Sequence, residues 1–281
     1  MLGTQHGLRL LGRSDLPAML ELAARDPVVN VFVDYRSRLT QLDPRWLGGE
    51  VWGYQVRGRL VSACHSAANL VPVQASDEAL AAFADRAAAQ RRRCATIVGP
   101  TQTVARLWAH LEPHWGPARE LRWDQPHLQT GSVPEVPGDP LVRRSERADL
   151  EVLYPACVAM YTEEVGVSPE EGGGADLYRA RTAQLVAKGW SFSRIERGEV
   201  VFKAEVAAAS PYACQIQGVY VPPHRRGEGL ATAGMAAVVR LALRDIAPVV
   251  SLYVNAHNVG ARRAYERVGF EQTATFATIM F

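Results

Sequence analysis

Two short segments hold the residues whose types and spacing could do chemistry. In the first, an apolar run ending Val219-Tyr220-Val221 leads through Arg225-Arg226-Gly227-Glu228-Gly229 into a long apolar stretch that begins Leu230-Ala231-Thr232. Glycines at 227 and 229 allow positive φ and close approach of backbone to a ligand. The first amides of the helix that follows have no intrahelical acceptor and carry the positive end of its dipole, so the turn suits an anion such as a phosphate. Neither the dinucleotide-binding nor the P-loop glycine spacing is present, and this turn alone does not name the ligand. In the second segment, a strand through Leu252-Tyr253-Val254 is followed by Asn258, a helix cap by residue type. Ala261, Ala264, Tyr265 and Val268 then share one helical face, with Gly269 as the stop. A tyrosine there could hand a proton to a leaving group, though it also reads as a packed core residue. Glu205 on a strand, and Glu163 and Glu164 at a helix end, could take a proton, though each alone also reads as a solvated carboxylate.

Together, in this order and at this separation, the two segments resemble the acetyl-coenzyme A site of the GNAT acyltransferase superfamily. Arg226, Gly229 and Ala231 fit that family's loop pattern of Gln or Arg, two residues, Gly, one residue, Gly or Ala. The resemblance implies a pyrophosphate site over Arg225, Arg226, Gly227, Glu228, Gly229, Leu230, Ala231 and Thr232. It implies backbone contacts from Val219, Tyr220 and Val221 to the pantetheine arm, and further cofactor contacts from Asn258, Ala261 and Tyr265. The activity implied is an N-acetyltransferase in which a primary amine attacks the thioester of acetyl-coenzyme A through a tetrahedral oxyanion. The N–H of Val219 or Val221 would polarise the carbonyl, and Tyr265 would protonate the departing thiolate. Gln215 or Gln217 stands where some members carry a glutamate base, which leaves Glu205 and Glu164 as candidate bases acting through water. A longer acyl group, or a non-enzymatic acyl-coenzyme A sensor or assembly module, are the alternative readings. The acceptor would be a small-molecule or protein amine, and the grouping of Glu163, Glu164, Glu170 and Glu171 hints at a cationic one.

The elements that must position these residues follow from periodicity. In the C-terminal half, helical spacing over 148–164 and 176–188 flanks a glycine-rich loop at 166–174, expected to be mobile over a substrate entrance. Strands at 190–195 and 200–207 join across Arg197-Gly198, and strands at 213–221, 249–254 and 273–281 complete a mixed sheet. The N-terminal half repeats the order: strand 8–10, helices 15–25 and 28–39, a hairpin across Arg57-Gly58, helix 77–90, strand 94–98, helix 103–111 and strand 119–123. Gly58 and Gly198 stand 140 positions apart, the spacing of a duplicated unit. Residues 69–76 offer neither glycine nor arginine, so the first copy is expected to bind no cofactor. The fold class is therefore α/β (α+β), two tandem GNAT-like domains, each a mixed, mostly antiparallel sheet flanked by helices. A degenerate domain over 1–130 and a catalytic one over 141–281 would be joined by a Pro- and Gly-rich linker at 131–140.

Composition is that of an ordinary globular enzyme: 281 residues, 48% hydrophobic and 21% charged. A net charge of +2 gives no reason to expect nucleic acid or an anionic membrane as partner. No apolar run is long enough to span a bilayer and no signal peptide is recognisable, so a cytoplasmic protein is expected. Four scattered cysteines carry no metal-ligand spacing and fit a reducing compartment. A tandem pair is compatible with a monomer or a homodimer.

Overall fold

The computed structural model describes residues 7–281. In chain order the elements are β1 (Gly7–Leu10), α1 (Leu16–Ala23), α2 (Val31–Thr40), α3 (Pro44–Leu47), β2 (Glu50–Val56), β3 (Arg59–Ser66), β4 (Asn69–Val73), α4 (Asp77–Ala89), β5 (Thr96–Pro100), α5 (Thr101–Trp115) and β6 (Glu120–Thr130). They continue with β7 (Arg143–Arg144), α6 (Leu150–Val165), α7 (Ala175–Ala187), β8 (Ser191–Glu196), β9 (Glu199–Ala209), β10 (Cys214–Tyr220), α8 (Leu230–Asp245), β11 (Val250–Tyr253), α9 (Val259–Val268) and β12 (Glu271–Met280). The chain forms two compact units. One holds the residues up to 128 with 253–257 and 272–281; the other holds 129–252 and 258–271.

In the first unit the strands run β1-β2-β3-β4-β5-β12, antiparallel except for the parallel pair β4 and β5. Strand alternation decides which core each residue enters. Val51 and Ala63 face a core with Met19, Leu22 and Val33, while their neighbours Trp52 and Cys64 face a second core with Phe83, Ile97, Leu107 and Ile279. Helices therefore cover both faces. The β2–β3 turn places Arg57 at φ 51 and Gly58 at φ 76, the double left-handed geometry that matches the twist of a tight hairpin.

In the second unit the order is β7-β8-β9-β10-β11, with β10 and β11 parallel. Its β8–β9 turn repeats the first, with Arg197 at φ 50 and Gly198 at φ 81. α8 lies against β9 so closely that a methyl at Gly234 would meet the Phe202 ring at 2.6 Å. The next residue on β9, Lys203, turns to the opposite face, where α6 supplies Cys157 and Met160. The duplication also shows in a device that periodicity does not reveal. Arg9 grips Asp15, whose carboxylate caps the amide of Gly12 at 2.9 Å, and Arg143 grips Asp149, which caps Glu146 at 2.7 Å.

Three sequence expectations need correction. The strand over 273–281, expected to close the catalytic sheet, pairs antiparallel with β5 from Phe276–Pro100 to Met280–Thr96, so the first unit takes in residues 272–281 rather than ending at 130. Its residues Ala277 and Ile279 are wholly buried among those of α4 and α5, which is what holds it there. The segment at 131–140 is no free linker: Arg240 on α8 donates to the carbonyls of Pro134 and Val136, and Asp139 binds Arg194 at 2.6 Å. The 166–174 loop is tethered to α6, because the Tyr154 hydroxyl donates to Glu170 at 3.0 Å.

Candidate active site

Strand β10 shapes the site. It pairs with β11 at Cys214–Val250 and Gln215–Ser251, then runs on to Tyr220 with no further β11 partner among the described residues. On its other side, pairing with β9 shifts register between Gln217 and Tyr220, which marks a bulge containing Gly218 at φ +59. The strands thus part beside Val219, Tyr220 and Val221, all half-buried, and leave backbone groups available to an extended ligand.

Beyond them comes the turn into α8. Gly227 and Gly229 sit at φ 86 and 80, and a Cβ on either would point into open space. Gly229 is the N-cap residue and offers no side-chain cap, and the first turn of Leu230, Ala231 and Thr232 has no acidic residue. The same chain shows what an occupied helix start looks like. In the first unit, α4 is capped by the Ser76 hydroxyl, which accepts from the Ala79 amide, and opens with Asp77 and Glu78. The Glu78 carboxyl is held below its usual range by its own backbone amide and by Ser76. There the amides and the dipole are already answered by local acceptors and anions; at α8 they are not. Beyond the last β4–β5 pair, a Cβ at Gly99 would meet Val104 at 3.7 Å and Pro72 at 3.9 Å, whereas a Cβ at Gly227 or Gly229 would meet nothing.

The two loop arginines have partners. Arg226 binds Glu163 at 2.7 Å and donates to the Val221 carbonyl at 3.0 Å. Arg225 bridges Glu228 and Glu196, and Glu196 is shared with Arg194. The loop arginines are thus held by carboxylates beside the start of α8, and an anion arriving there would compete with those carboxylates for them. Glu228 is thereby a partner for Arg225 before it is a ligand contact.

Tyr265 lies on the buried face of α9 with its ring edge-on to Phe270. Burial, and then the nearby Glu164 carboxylate, push its phenol above the ordinary tyrosine value, so it keeps its proton throughout the neutral range. Asn258 caps α9 by accepting from the Ala261 amide at 3.1 Å. Glu164 is exposed at the end of α6. Glu205 departs from both sequence readings, solvated carboxylate and open base. It is buried, 2.8 Å from Lys203, and its oxygens also receive the Cys157 thiol and the Gln217 amide. Burial opposes its ionisation, but the lysine outweighs this and holds the carboxyl below its usual range, which makes Glu205 a weak proton acceptor.

Lys203 was not singled out in the sequence. Alternation in 199–206 placed it on one face with Glu205, and a Lys and a Glu two apart on a strand look like a solvent face unless a helix is known to cover it. No group of three or more metal-ligating side chains occurs among the described residues. The four cysteines are buried free thiols. Among the described residues no helix is long and apolar enough to cross a membrane.

A parallel strand pair that opens beside a bulge, next to a glycine-flanked helix start with no acidic residue in its first turn, fits the α/β fold of the acyltransferases. Residues 190–270 form a GNAT-family acetyltransferase domain, and the chain as a whole has the fold of a tandem GNAT protein. Residues 190–270 match the acetyltransferase (GNAT) family, and residues 49–153 match a domain of unknown function, DUF4081. The mycothiol acetyltransferase of Brachybacterium faecium is 33% identical over 162 residues, which cover 54% of this chain and 46% of that protein. The match therefore spans less than half the length of this curated relative. In fold, the chain is similar to a GCN5-related N-acetyltransferase from Sphaerobacter thermophilus, with TM-score 0.59 and 18% identity over 100% of this chain and 97% of that one. It is also similar to a tandem GNAT protein from the clavulanic acid biosynthesis pathway, with TM-score 0.58 and 15% identity over 98% of each chain.

Proposed function

We propose that the second unit is an acetyl-coenzyme A-dependent N-acetyltransferase acting on a primary amine, and that the first unit binds no cofactor. The observation that carries this reading is the contrast between the two helix starts, α8 without a cap or an acid and α4 with both. The residues present fit the cofactor: the helix start and Gly227 to Gly229 suit its pyrophosphate, and the half-buried backbone of Val219 to Val221 suits its extended arm.

Bound there, the cofactor supplies an acetyl thioester: a C–N bond forms to the amine as the C–S bond breaks, and the amine proton balances the sulfur. The chain's own residues would act as follows. The Val219 N–H, at the bulge, faces the carbonyl oxygen and stabilises the charge that develops on it. Tyr265, un-ionised, donates a hydrogen bond to the sulfur. Glu164, exposed beside Tyr265, relays the amine proton to water. Glu205 is assigned no base role, because its lone pairs are already engaged. Arg225 and Arg226 exchange carboxylates for phosphates when the cofactor arrives.

The deciding experiment is calorimetric titration of acetyl-coenzyme A into the wild-type chain and into Arg226→Glu, Gly229→Trp and Leu70→Ala variants. Binding lost in the first two and kept in the third supports one site on α8. Binding indifferent to Arg226 and Gly229, or none to the wild type, refutes the reading. An acceptor screen by thiol release follows.

A further inference from the structure

Lys203 has no exposed surface, and burying an ammonium is costly even beside a carboxylate. Glu205 neutralises it at 2.8 Å, yet an apolar pair would fill the same space without the desolvation cost. What the long side chain supplies is a donor that crosses to the neighbouring strand: Nζ donates to the carbonyl of Gly218 at 3.0 Å. That carbonyl belongs to the bulge. Gln217 pairs with Glu205 but Tyr220 pairs with Lys203, so β10 carries one residue more than β9 over this stretch. The surroundings close around the distortion, since a Cβ at Gly218 would meet Met160 at 3.1 Å, Lys203 at 3.2 Å and Glu205 at 3.3 Å.

The first unit provides an internal comparison. Counting from the matched hairpin turns, Ala63 and His65 occupy the places of Lys203 and Glu205. There the β3–β4 ladder runs Ala63–Val73, Cys64–Pro72, His65–Val71 without a register shift. The strand pair that has the lysine carries the bulge, and the strand pair that lacks it is regular.

We propose that Lys203 is a positioning residue that aims the Val219 N–H at the thioester oxygen, by holding the Gly218 carbonyl at the other end of the same peptide. No cis peptide occurs among the described residues, and in a trans peptide the C=O and N–H point in opposite directions. Fixing the oxygen on Lys203 therefore fixes the N–H pointing away from it. Glu205 keeps the lysine charged and adds the Cys157 thiol and Gln217 amide to the same cluster. This inference rests on the acetyltransferase reading above.

The test needs no acceptor. Infrared difference spectra of bound [1-13C]acetyl-coenzyme A against the unlabelled cofactor report the polarisation of its carbonyl. The wild type is expected to displace the stretch below its position in water. The double variant Lys203→Met/Glu205→Gln, which leaves no lone buried charge, is expected to lose most of that displacement while its Kd for acetyl-coenzyme A stays within a few-fold. Glu205→Gln alone keeps the donor to Gly218 and is expected to keep the displacement, a split that a merely structural role would not produce. Should the methionine variant fail to fold, Lys203→Gln in the same background, too short to reach Gly218, takes its place. A double variant that retains the full displacement overturns the proposal. So does a wild type that binds the cofactor with an undisplaced carbonyl, which leaves the cofactor site itself standing. A wild type that binds no acetyl-coenzyme A overturns the acetyltransferase reading and this inference with it.

Discussion

Transplanting the anion of α4 onto α8 should close the cofactor site while leaving the fold as stable as before. Ala231 is the second residue after the Gly229 cap and half-buried, the place that Glu78 holds after Ser76. In an Ala231→Glu chain the new carboxylate would stand about 5 Å from a bound phosphate. Coulomb's law gives roughly 3 kcal/mol of repulsion at an effective dielectric constant of about 20 and roughly 0.8 kcal/mol at that of water. Binding of acetyl-coenzyme A should weaken by about 4- to 150-fold. The same charge sits well with the helix dipole, which contributes about 0.3–1 kcal/mol in favour of the fold, so Tm should hold or rise. Calorimetric titration at low and high salt checks this beside Ala231→Gln, a neutral residue of the same length. The glutamate effect should exceed the glutamine effect and shrink as salt rises, because the Debye length falls to about 10 Å at 0.1 M. Equal weakening by both, or a gap insensitive to salt, would refute an electrostatic anion site at this helix start.

Three further outcomes are expected. Tyr265→Phe should bind acetyl-coenzyme A as the wild type does and slow turnover by about 10²-fold or more; because burial and Glu164 raise the phenol, the wild-type rate should show no fall from tyrosine ionisation below pH 10, which a pH–rate profile reads directly. In the first unit, burial holds His65 and His127 at about 4, and Arg36 adds to the effect at His65. Unfolded histidines bind protons near 6.5, so between pH 6.5 and 4 the unfolded chain takes up more protons and stability falls on acidification, by up to roughly 3 kcal/mol per histidine; denaturant melts across that window should show this, with His65→Phe removing part of it. Ile279→Ala, in the wholly buried part of β12, should cost about 2–5 kcal/mol and lower amide protection in α4, α5 and β5; protection lost in α8 and α9 instead would contradict the assignment of the strand to the first unit.

Much of this was legible in the sequence, and the rest was hidden for identifiable reasons. Local signals carried far: Arg57-Gly58 and Arg197-Gly198 marked both hairpins, and Asn258 and Gly269 marked the ends of α9. The glycines before α8 and the strand before them gave the turn, since each is decided within a few residues. The partner of β12 was not readable, because its alternating pattern states that it has a buried face and not against which core. The burial of Glu205 against Lys203 was not readable for the same reason. A charged face on a strand is solvated or buried according to what packs over it, and α6 is some forty residues away in the chain. The arginines at 225 and 226 were recognised as cations beside a helix start, but their partners Glu196 and Glu163 lie on distant elements. The capped start of α4 was readable from Ser76, Asp77 and Glu78, and only the comparison with α8 made it informative.

The place of β12 bears on how the protein is made. The first unit's core includes Ala277 and Ile279, so its last strand leaves the ribosome only after the whole of the second unit has been translated. At about 5–20 residues per second, the 153 residues after Leu128 take roughly 8–30 s, during which β5 has no β12 beside it. An open strand edge is a template for pairing with other chains. A nascent chain stalled or clipped before β12 would thus carry a nearly complete second unit and an unfinished first one, and its hazard would be aggregation through the half that came out first.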